Sequence, residues 1–123
     1  MTRVFLVDAE IATRSALRLL LVDMKMQVVG EASDWRSAMA QIQTTNPDML
    51  VVVWELLAGM FARGVLADLR VAHPNLRVVV LSSQLDARKA AFRAGADAFI
   101  AIGDEPDRVT ERLRAAAGDS SSS

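Results

Sequence analysis

The chain has 123 residues, 52% of them apolar, with fourteen Lys and Arg against fifteen Asp and Glu for a formal net charge of −1. That size and composition suit one globular domain with a buried core and exclude a disordered chain, and the near-neutral balance gives no bulk attraction to nucleic acid or an anionic membrane. Cysteine is absent, which removes disulfides, thiol nucleophiles and cysteine metal sites and makes a reducing, cytoplasmic setting the default expectation.

The N-terminus, MTRVFLVDAE, has an apolar run that stops at Asp8, too short for a signal peptide, and no segment reaches the ~20 apolar residues of a membrane span. Val4 to Val7 reads as a strand, and Ala12 to Val22, with Leu17, Leu20 and Leu21 at helical spacing, as the helix after it. Gln27 to Ala32 mixes Gln27 and Glu31 with Val28 and Val29, the pattern of an edge strand. Ser33 or Asp34 caps a helix running to about Thr45, with Ala38, Met39 and Ile42 inward. Met49 to Val53, preceded by Pro47, is an unbroken apolar run and reads as a strand buried on both faces. A loop containing Gly59 and Gly64 follows, then a helix over roughly Val65 to Ala72 that Pro74 stops. Arg77 to Leu81 is another buried strand, ending in Ser82 and Ser83. Asp86 to Ala94 forms a helix closed by Gly95, Ala98 to Ile102 the fifth strand, and a last helix runs from Pro106 to about Ala117. Gly118 to Ser123 has the composition of a flexible tail or linker.

Five strands alternating with five helices over short loops require a parallel sheet with helices on both faces, and a flavodoxin-like order 2-1-3-4-5 is the expected form at this length. In such sheets the chemistry sits beyond the carboxyl ends of the central strands. There the third strand delivers Val53 and Trp54, which carry no reactive group. The order also brings Asp8, Val53, Ser82 and Ile102 to one crevice, the expected site.

VFLVDAE, EASDW, NPDMLVVVWELLAG, HPNLRVVVLSS, AFRAGADAFI and GDEPDRV, in this order, resemble the successive motifs of CheY-like response-regulator receiver domains, especially those of the NarL/FixJ type. The likeness covers nearly the whole chain and implies a receiver-like domain over 1–117. It also implies a setting in two-component signalling, in which a histidine kinase donates a phosphoryl group to an Asp at the end of the third strand. That chemistry needs an acidic pair after the first strand for Mg²⁺, a hydroxyl after the fourth and a Lys after the fifth, which balance charge on the phosphoryl oxygens. Carried over, Asp8 matches the first acid and Ser82 the hydroxyl, but the second acid is Ala9, the acceptor is Val53 and the Lys is Ile102. The segment from Val53 to Pro74 is slightly longer than in the typical member, so a rebuilt loop is expected there.

These substitutions agree with one another: with acceptor and second carboxylate gone, a buried Lys would be an uncompensated charge, and Asp8 alone is a poor Mg²⁺ site. The resulting expectation is a degenerate pseudo-receiver, not an enzyme, with no cofactor and no metal. Asp8 is then a helix cap or a solvated remnant, and Ser82 bonds nearby backbone. Glu55, two residues past the acceptor position, is expected to point to solvent. Phe99, at the family's switch-aromatic position, packs in the core, and His73 sits at a helix C-terminus.

What remains is surface. The helices over 86–94 and 106–117 and the strand between them expose Arg88, Lys89, Arg93, Asp97, Glu111, Arg112 and Arg114, whose mixed signs suit pairing across a two-fold axis. The first helix offers Leu19 and Val22 beyond its inward set, an apolar stripe wide enough for a partner. Two function classes follow. The first is a phosphorylation-independent regulatory domain, a homodimer or protein-binding module controlling transcription through a fused helix-turn-helix output that alone touches DNA. The second is a small-ligand sensor using an apolar crevice beside Val53 and Ile102; filling by Trp54 or Leu57 favours the first.

Overall fold

Strand and helix alternate along the chain as its periodicity requires, in a computed structural model that describes residues 1–58 and 60–118. The strands are β1 (Arg3–Val7), β2 (Gln27–Ala32), β3 (Met49–Val53), β4 (Arg77–Ser82) and β5 (Ala98–Ala101). The helices are α1 (Ile11–Asp23), α2 (Trp35–Thr45), α3 (Trp54–Ala58), α4 (Ala62–Ala72), α5 (Ala87–Ala94) and α6 (Pro106–Ala116). All strand pairs are parallel and the order is β2-β1-β3-β4-β5, the expected flavodoxin-like topology with the mixed-polarity β2 at an edge.

The alternation of side chains along each strand sorts the core into two layers. Phe5, Leu50, Val52, Val78 and Val80 pack with Ile42 of α2, Leu66 and Leu69 of α4 and Ala91 of α5. Val4, Leu6, Met49, Val51, Val79 and Leu81 pack with Leu17 and Leu21 of α1 and Leu113 of α6. Each fully buried aliphatic side chain contributes about 1.5–3 kcal/mol, so β3, buried along its whole length, anchors both layers. The helix ends follow local chemistry. The Asp34 carboxylate accepts from Ser37 N at 2.8 Å to cap α2, Gly95 at φ 113° closes α5, Pro106 opens α6, and His73 ends α4.

Four expectations change. The segment after β3 is not a loop: WELLA forms the one-turn α3 directly behind the strand, because Glu, Leu and Ala favour helix. Gly64 lies inside α4, which starts at Ala62; its missing side chain makes room for the Phe61 ring, whose nearest carbon would be 2.5 Å from a Cβ there. There are thus six helices among the described residues. Finally, β5 ends at Ala101 and leaves Ile102 in the following turn, and Leu20 is half-buried. Gly59 and the tail from Asp119 to Ser123 lie outside the described residues.

Candidate functional site

The parallel order brings the segments after β1, β3, β4 and β5 to one edge of the sheet. Asp8 leaves β1 through a bond from its N–H to the Ala32 carbonyl at 3.1 Å and is only 3% exposed. Its Oδ1 accepts from Glu10 N at 2.9 Å, while Oδ2 is buried without a hydrogen-bond partner among the described residues. This corrects the expectation of a cap or a solvated remnant: the residue flanking α1 is Glu10, which makes no side-chain cap, and Asp8 lies inside. Arg14 of α1 donates to the Asp8 main-chain carbonyl, and Arg14 and Arg18 pair with Glu31 of β2 at 3.3 and 2.7 Å. Positive charge therefore stands beside Asp8 without bonding its orphaned oxygen.

Val53 ends β3 opposite Leu81 and is 7% exposed; Ala9 adds only a methyl group. An Mg²⁺ ion takes a near-octahedral oxygen shell. Among the described residues no three His, Cys, Asp or Glu side chains come together to hold a metal. The donor set around Asp8 does not fit the ion the resemblance implies.

Ser82, fully buried at the end of β4, accepts from Gln84 N at 3.0 Å, as expected of a hydroxyl at a strand end. It also donates to Glu55 Oε2 at 2.9 Å. Glu55 is exposed, as expected, but its carboxylate also turns back to meet Ser82. The helical turn of α3 swings a side chain placed two residues beyond the strand back over its end, and the helix-forming run WELLA was the signal for it.

Ile102 donates its N–H to the Ser82 carbonyl at 2.8 Å, so its backbone belongs to the site. Its side chain, 43% exposed, lines an apolar groove of about 330 Å³ with Thr13, Leu17 and Leu20 of α1 and Pro106 and Val109 of α6. Asp8, Val53 and Ser82 take no part in that groove. The crevice expected beside Val53 and Ile102 is thus divided: the ligand-sensor reading keeps an apolar groove of the expected size beside Ile102, but one that Val53 does not line. Leu57, fully buried, and the half-buried Trp54 pack on the layer that holds Val52 and Leu66.

Phe99 is 4% exposed and joins the same layer beside Ala87 and Ala91 of α5. Of the candidate interface residues, Arg88, Lys89, Arg93, Asp97, Glu111 and Arg114 are exposed, and Arg88 lies over the Phe92 ring at 5.6 Å. Asp97 is committed internally, to Arg70 at 2.8 Å and to Val78 N at 2.7 Å, and Arg112 is half-buried. On α1, Leu19 and Val22 are 74% and 56% exposed. Among the described residues no helix is long and apolar enough to cross a membrane.

A family model described as the response regulator receiver domain matches residues 4–114. The chain is 35% identical over 103 residues to the DNA-binding transcriptional activator DevR/DosR of Mycobacterium tuberculosis, an alignment spanning 81% of this chain and 47% of that protein. It therefore spans about half the length of that relative. It is 27% identical over 113 residues to the chemotaxis protein CheY of Thermotoga maritima, covering 90% of this chain and 93% of that one. A crystal structure of a response regulator from Thermotoga maritima superposes with a TM-score of 0.83 over 96% of this chain and 98% of the other, at 22% identity, a likeness of fold.

Proposed function

The chain belongs to the response regulator receiver domain family, and on that premise we propose that it is a pseudo-receiver, a regulatory domain that works without accepting a phosphoryl group. One observation carries this reading. The end of β3, where the family's chemistry needs a carboxylate, holds a buried valine. A valine side chain offers no nucleophilic oxygen, and Trp54, the next residue, offers none either. Ala9 and Ile102 remove the second acid and the counter-charge, so the two retained parts, Asp8 and Ser82, have nothing to act on. Ser82 is also engaged already by Glu55.

Signalling then runs through contact surfaces. The α1 stripe of Leu19 and Val22 and the charged face of α5 and α6 support a homodimer or a protein partner. Control of transcription through a fused DNA-binding domain accords with the DNA-binding activator it resembles over about half of that protein's length.

The test is incubation with Mg²⁺ and acetyl phosphate followed by intact mass measurement. No mass increase is expected. A hydroxylamine-labile adduct of one phosphoryl group would overturn the reading, and peptide mapping would then locate the acceptor.

A further inference from the structure

We infer that Glu55 is a positioning residue: its carboxylate permanently fills the role of acceptor for the Ser82 hydroxyl, and so holds the β4–α5 segment and the outer face of α5 in one arrangement in the unmodified chain. The inference deepens the pseudo-receiver reading and rests on it.

Three bonds meet at Ser82. Its hydroxyl donates to Glu55 Oε2 at 2.9 Å and accepts from Gln84 N at 3.0 Å, and its carbonyl accepts from Ile102 N at 2.8 Å. One buried residue thereby ties the first turn of α3, the segment leading into α5 and the turn after β5. Ionised Glu only accepts, so the hydroxyl must donate to it and is left to accept from Gln84, which sets the direction of the whole chain of bonds. Immediately beyond Gln84 stands Leu85, 74% exposed, followed on the same surface by Arg88 over the Phe92 ring. Inside, Ala87 and Ala91 of α5 pack in the layer that holds Phe99. The place where Glu55 acts is therefore continuous with an exposed, partly apolar surface. In the family that the chain resembles, a phosphoryl oxygen engages this hydroxyl only after transfer; here a side chain of the chain itself does so.

Amide hydrogen exchange in the absence of any phosphodonor, with the Phe99 ring resonances followed alongside, tests this on the intact chain. Glu55→Ala is expected to speed exchange at Gln84, Ala87 and Arg88 by about two- to tenfold, the range for losing one hydrogen bond, and Ser82→Ala, which loses both hydroxyl bonds, by at least as much. Both are expected to shift the Phe99 resonances the same way, and the double variant to go no further than Ser82→Ala alone. Glu55→Gln, which keeps an acceptor oxygen, is expected to recover most of the protection, which a loss of general packing would not do. Parent-like exchange in Glu55→Ala, additive effects in the double variant, or no recovery in Glu55→Gln would each overturn the inference. The outcome is separable from that of the parent reading: a phosphoryl adduct defeats the pseudo-receiver, whereas unchanged exchange without an adduct defeats the role of Glu55 alone.

Discussion

At the scale of single residues, the site is defined by what its polar atoms do beside the hydrocarbon of Ala9, Val53 and Ile102. Asp8 keeps a buried carboxylate with one oxygen bonded to Glu10 N and the other without a hydrogen bond. A carboxylate oxygen buried without a hydrogen bond costs folding energy, and the Arg14 guanidinium donates to the Asp8 main-chain carbonyl and not to that oxygen. Asp8→Asn retains an oxygen for Glu10 N and deletes the charge, so it is expected to raise stability by about 1–2 kcal/mol in urea denaturation. A loss of stability in that variant would mean that the charge is balanced after all, by Arg14 or by a bound cation. Ser82 shows the opposite case, a buried hydroxyl whose donor and acceptor are both satisfied.

At the scale of elements, two glycines present the same distance and opposite consequences. A Cβ on Gly30 of β2 would stand 2.5 Å from the Phe5 ring, and one on Gly64 of α4 would stand 2.5 Å from the Phe61 ring. Phe5 is fully buried between strands and cannot move aside, whereas Phe61 is 76% exposed and can swing into solvent. Gly30→Ala is therefore expected to cost about 1–3 kcal/mol by overpacking. Gly64→Ala should be neutral or should add up to about 1 kcal/mol from helix propensity. Thermal unfolding of the two variants side by side checks this; equal losses would show that Phe61 is held as firmly as Phe5. The same reasoning accounts for α3, where helix-forming residues behind a buried strand make a turn of helix in place of the anticipated loop.

At the scale of the whole molecule, the proposed pseudo-receiver role puts the weight on the faces of a domain with little net charge. The α1 stripe presents Ile11, Leu19 and Val22 to solvent at 70%, 74% and 56% exposure, while most of the exposed side chains on α5 and α6 are charged. Apolar area removed from water drives association more effectively than exposed ion pairs, so α1 is the stronger candidate face for the proposed homodimer. Light scattering over a dilution series should show Leu19→Lys with Val22→Lys weakening the dimer by about tenfold or more, with an unchanged melting temperature. A double variant that associates like the parent would move the interface to the α5 and α6 face.

The sequence by itself determined the strand order, the double-sided burial of β3 and the missing carboxylate at its end. Those are properties of local periodicity and residue identity, and both are written into the chain one position at a time. It could also place Asp8 and Ser82 at one edge of the sheet, because parallel topology brings every strand's carboxyl end there. Only the tertiary structure decided that Glu55 turns back to Ser82, 27 residues away in sequence, that Ile102 leaves the crevice for the groove between α1 and α6, and that Asp97 is spent on Arg70. Where a side chain goes is chosen by elements distant along the chain, and periodicity carries no information about them.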